Sequence, residues 1–175
     1  FFDTYQKDRE LLLVVPEDRL GEDFLMTFEV SQGPGTGGVH GGTMLDREAR
    51  LVSLEKIQGR IFLTQRPTIY RAPEGSAVER SINTTFGTSV LATARIAATR
   101  DSTHHLIDIH DWFISDISGV SQRLRGALSS GENRGGGGAS LDDSRSYLES
   151  VKSFPRNMTI NSKLTFRAGV NPSLR

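Results

Sequence analysis

Apolar and polar residues alternate with a period of two along most of this chain. In DFLMTFEVS, Phe24, Met26, Phe28 and Val30 fall on one side, and Leu25, Thr27, Glu29 and Ser31 on the other. That is the pattern of a half-buried β-strand. LLLVVP before it reads as another strand. YQKDRE forms the tip of a first hairpin, and PEDRLG a turn or one helical turn that stops at Gly21. The clearest hairpin lies in ARLVSLEKIQGRIFLTQRP. Val52 and Leu54 share a face on one arm, Ile61 and Leu63 on the other, and Gln58-Gly59 supplies the turn. Pro67, with no N–H to give a ladder, ends the second arm.

The same period predicts a strand through HHLIDIHDWFIS, with Ile107, Ile109 and Phe113 on one side. In MTINSKLTF, Met158, Ile160, Leu164 and Phe166 oppose Asn161, Lys163 and Thr165. Helix signals are few. SDISGVSQRL and DDSRSYLESVKSF each fit a short helix, the second capped by Asp143 or Ser144. The expected fold is therefore mainly β: an antiparallel sheet, sandwich or partly open barrel, with one or two short helices. We expect a single domain over 1–175, part of a longer chain, with flexible loops at 31–43 and 129–140.

Composition narrows the function. The 175 residues are 36% hydrophobic and 24% charged, enough apolar matter for one core. Basic and acidic residues number 21 each, so the excess of positive charge that phosphate backbones demand is missing, and no nucleic-acid partner is expected. Without cysteine there is no disulfide framework, thiolate zinc site or cysteine nucleophile. No apolar run approaches the ~18–20 residues of a membrane span.

Individual motifs are weak. SQGPGTGGVHGGTM holds a formal G-x-G-x-x-G at Gly33, Gly35 and Gly38, but it runs into strand-like sequence. A pyrophosphate-binding loop must open a helix. Asp108 and His110 on one strand face, with Trp112 beyond and His40 from the glycine loop, would be a conceivable metal site. The histidines lack the helical spacing of zinc proteases, and His104-His105 beside TRDST reads as a solvated pair. The carboxylate pairs Glu17-Asp18 and Asp142-Asp143 sit in polar runs, and no nucleophile elbow is present. Asn83-Thr84-Thr85 and Asn157-Met158-Thr159 are formal glycosylation sequons. No catalytic, cofactor-binding or metal-ligating residue is assigned.

Three blocks taken together say more. They are LDREARLVSLEKIQGRIFLTQRPTIYRA, then FGTSVLATARIAAT with LIDIHDWFISDISGVSQRL, then LDDSRSYLESVKSFPRNMTINSKLTF. In this order, behind YQKDRELLLVVPEDRLGEDFLM, they resemble the N-terminal domain of bacterial zinc-dependent metalloproteases. There a β-rich domain of unassigned function precedes a metzincin-like catalytic domain. The resemblance implies a periplasmic or secreted protein and zinc in the full-length chain, held by a downstream H-E-x-x-H-x-x-G-x-x-H that this sequence does not contain. It implies as partners the protein's own catalytic domain and peptide near its cleft, met in part by the glycine loop. Two departures stand out: Glu48 follows Leu45-Asp46-Arg47 where the family has glycine, and the run Gly135–Gly138 is expanded. The alternative is a free-standing β-sandwich module binding peptide or glycan.

Overall fold

A computed structural model describes residues 1–34, 39–129 and 139–168. β1 (Asp3–Lys7) and β2 (Glu10–Pro16) form the first hairpin, and a 3-10 turn, Glu17–Arg19, leads to β3 (Phe24–Met26). β4 (Glu29–Val30) and β5 (Thr43–Met44) flank the glycine loop. β6 (Arg50–Ile57) and β7 (Arg60–Gln65) form the second hairpin, followed by α1 (Ala77–Thr85). Then come β8 (Ser89–Arg100), β9 (His104–Asp108), α2 (His110–Phe113), α3 (Val120–Ser129), β10 (Ala139–Ser153) and β11 (Met158–Ala168). None of these helices is long and apolar enough to cross a membrane.

Seven strands pair antiparallel in the order β1-β2-β9-β8-β7-β6-β3, curling into a half-barrel. Of the two expected architectures, the partly open barrel is the one found. Gln58 and Gly59 both take positive φ, 49° and 74°, which matches the turn to the right-handed twist of β6 and β7. Alternation then fills the concave face. Leu11, Leu13 and Val15 of β2 meet Val52 and Leu54 of β6, Ile61 and Leu63 of β7, and Ile107 of β9. Each such side chain, fully buried, contributes about 1.5–3 kcal/mol.

β10 and β11 pair only with each other, as a ribbon. Leu148, Val151, Met158 and Ile160 lay its apolar side against the half-barrel core. Phe1 and Phe2 tie the two together: Phe1 N donates to the Phe154 carbonyl (2.5 Å), and Ser153 Oγ to that of Phe2 (2.8 Å).

Three local expectations are corrected, and one helix lies where none was assigned. Residues 142–154 are not a helix but most of β10, registered from Leu141 opposite Phe166 to Ser153 opposite Met158. Of the two residues expected as the helix cap, Ser144 instead donates to the Asp142 carboxylate (2.6 Å) where the register shifts between Asp142 and Tyr147. The strand through His104 stops at Asp108, whose carboxylate accepts from Leu11 N (3.1 Å) and His110 N (2.9 Å) and turns the chain into α2. The strand expected over 24–30 breaks after Met26. Finally, α1 has a signal that the β-period hid. Ser76 Oγ accepts from Glu79 N (3.0 Å), and the Glu79 carboxylate from Gly75 N (2.6 Å), in the manner of a capping box. The tip of the 31–43 loop, at 35–38, and most of the 129–140 loop, at 130–138, lie outside the described residues.

Candidate functional site

The half-barrel has two unpaired edges, β1 and β3. Beside β3 lies a groove of about 1030 Å³. One wall is β11, which presents Met158, Ile160, Ser162, Leu164 and Phe166, every second residue along the strand. The opposite wall is the continuous run from Phe24 to Pro34, with α3 contributing Val120 and Leu124. Exposure alternates along this wall, with Leu25, Thr27 and Glu29 outward, and backbone groups are free on it where β3 turns them away from β6.

Hydrogen-bond polarity along β6 shows which backbone groups these are. The Leu51 carbonyl accepts from Arg66 N (3.0 Å), so Leu51 faces β7. The groups of Arg50, Val52 and Leu54 therefore face β3, and Leu54 O accepts from Gly21 N (2.9 Å) on that side. Phe24 lies opposite Val52, and Met26 opposite Arg50. Leu25 between them directs its N–H and C=O away from the sheet, and its side chain is 69% exposed.

The glycine loop forms part of the same wall. A Cβ on Gly33 would lie 2.4 Å from the Val39 carbonyl oxygen, and one on Gly41 2.9 Å from that of Ser31. The two limbs thus touch backbone to backbone, which only glycine permits, and Val39 is buried between them. Gly35 and Gly38 lie outside the described residues. Gly33 opens no helix, so the phosphate-loop geometry does not arise.

Arg50 braces the wall from behind. Its Nε and Nη2 grip both Asp46 oxygens (2.8 and 2.9 Å), Nη1 donates to the Ile117 carbonyl (2.9 Å), and its guanidinium lies 4.9 Å from the centre of the Phe28 ring. Bidentate pairing fixes direction as well as distance. Arg123 Nη2 reaches the Leu45 carbonyl from α3 at 2.5 Å.

The histidines are not brought together. His40 Nδ1 turns to the Gly41 carbonyl (3.0 Å), His104 to Thr103 Oγ1 (3.0 Å) and His110 to Asp111 (3.1 Å). His105, expected to be solvated, is only 2% exposed, because it alternates with His104 across the sheet. Its Nε2 meets the Glu17 carboxylate and its Nδ1 meets Thr99 Oγ1 (3.1 Å), while Lys56 Nζ lies 3.0 Å from the same carboxylate. The His105 hydrogen bond first, and then Lys56, hold the Glu17 carboxyl below its usual range. This chain of contacts ties the 3-10 turn to β6 and β9. Asp108 is occupied with backbone, and Trp112 is in the core. Among the described residues, no three His, Cys, Asp or Glu side chains are grouped to hold a metal.

Asp142, expected in a polar turn, is buried in β10. Its carboxylate accepts from Arg145 Nε (2.5 Å), Arg167 Nε (2.8 Å) and Ser144 Oγ (2.6 Å). Arg167 foremost, then Ser144 and Arg145, hold its carboxyl far below the ordinary range. Of the two sequons, Asn83 is in α1, and Asn157 lines the groove at the start of β11.

The fold and site define a curled antiparallel β domain with an apolar groove along one open sheet edge. The chain belongs to the family described as Domain of unknown function (DUF5117), which matches residues 42–174. No curated protein and no solved structure matches it.

Proposed function

We propose that this chain is a non-catalytic domain of a bacterial zinc-dependent metalloprotease, working in the periplasm or outside the cell. Peptide-bond hydrolysis belongs to a downstream domain, and the groove described above engages that domain or the peptide it cuts. One observation carries the reading: all three blocks behind the sequence resemblance converge on the groove. The first supplies Leu45, the second Phe113 and Val120, the third Met158, Leu164 and Phe166. Pockets of this size with mainly apolar walls are where proteins take ligands.

Two measurements test it. The gene beyond Arg175 should encode the metzincin histidine motif, and a stop codon soon after would favour the free-standing peptide-binding module, which the groove serves equally well. The purified chain should not cut casein. Chelator-sensitive cleavage by residues 1–175 alone would overturn the assignment of chemistry to another domain.

A further inference from the structure

We propose that the groove takes an extended peptide segment antiparallel to β3, with a basic residue at its N-terminal end and an acidic residue at its C-terminal end. This deepens the reading of the groove as a peptide site and rests on it. Leu25, on the β3 edge of the seven-stranded sheet, offers one N–H and one C=O to an eighth strand. Met158, Ile160, Leu164 and Phe166 offer apolar contacts at the two-residue spacing that an extended chain presents.

Charge sets the direction. Arg156 and Glu29 both line the groove, both are exposed, and neither has an ion-pair partner among the described residues. Arg156 belongs to the β10–β11 turn, which Phe1 N holds through the Phe154 carbonyl, and the Phe1 ring lies 5.5 Å from that of Phe24. Arg156 therefore marks the Phe24 end. Glu29, paired with Met44, marks the other end, five residues on. Phe24 to Glu29 is a run of six residues, and a peptide of about that length is the probe suited to it. A strand antiparallel to β3 brings its C-terminal end to Arg156 and its N-terminal end to Glu29.

The probe is the fluorescein-labelled, end-capped hexapeptide Lys-Val-Ile-Val-Leu-Glu, titrated with residues 1–175 by fluorescence anisotropy at low salt. Saturable one-to-one binding is expected, with the charge-reversed peptide Glu-Val-Ile-Val-Leu-Lys about tenfold weaker. The double variant Glu29→Lys/Arg156→Glu should invert that preference. Leu25→Pro removes an N–H that β6 does not use, so it should keep the native circular dichroism and lose about fivefold or more in affinity. The charge swap alters only exposed side chains and decides the matter should Leu25→Pro fail to fold. No saturable binding, or equal binding of both peptides to both proteins, would overturn the proposal. So would a dimer abolished by Leu25→Pro, which would assign the edge to a second copy of the chain. A gene without the histidine motif removes the metalloprotease reading and leaves this test unaffected. Absence of binding in a protein that carries the motif removes the peptide alone.

Discussion

Single charged side chains act here through partners far away in the chain. Asp142 and Glu17 look like solvated turn carboxylates in the sequence, yet Arg167 lies 25 residues from the first and His105 88 residues from the second. Burial and pairing at such separations leave no local trace. The consequence for Asp142 is measurable. Its folded-state carboxyl titrates below its ordinary 3.8, so its contribution to stability is complete above that value and is lost as the pH falls through the folded-state pKa. We expect Asp142→Asn to be less stable than the native chain at pH 7, with the difference shrinking below about pH 4. Urea midpoints between pH 2 and 7 measure this, and a constant difference would show that the carboxylate's charge is not what matters. Gly33 and Gly41 are the opposite case. Their abundance in one loop was visible, but the reason, contact with the Val39 and Ser31 carbonyls, appears only when the two limbs meet.

Elements were legible where period and turn chemistry agreed. The β6–β7 hairpin, with its Gln58-Gly59 turn and four inward side chains, is as the sequence predicts. Period alone misled where a nearby acceptor redirected the chain, as Asp108 does before α2, or where pairing overrode propensity, as β11 does for β10. The groove wall is also a matter between elements. Arg50 begins β6, but it holds the 46–50 turn, the link between α2 and α3, and Phe28 in one arrangement. Arg50→Ala should cost about 1.5–3 kcal/mol, since it breaks hydrogen bonds to a charged partner. Arg50→Lys should recover only part of this, because an ammonium cannot reproduce the fork. Chemical denaturation of the two variants checks the order, and equal losses would mean that charge alone matters there.

At the scale of the whole molecule, stability and site are separable. The core lies on the concave face of the half-barrel, and the groove runs along its β3 edge. Leu54→Ala, in the core, should lower global stability by about 2–5 kcal/mol. It should leave hexapeptide affinity unchanged at temperatures where the protein stays folded, because Leu54 does not line the groove. Calorimetry and anisotropy on one preparation test both halves, and a matching loss of affinity would show that core and groove are coupled.

The sequence by itself determined the strand-rich class, the β1–β2 and β6–β7 hairpins and the inward residues of the second, because the two-residue period is a local property of an extended chain. It also carried the match over residues 42–174 to the family of unknown function. Tertiary structure alone decided that the sheet stays open at β3, that the β10–β11 ribbon lies beside that edge, and that Leu25, Arg156 and Glu29 share one groove. Those facts depend on which strands pair, and pairing joins residues as far apart as Leu12 and Asp108, whose side chains show no common pattern before they meet.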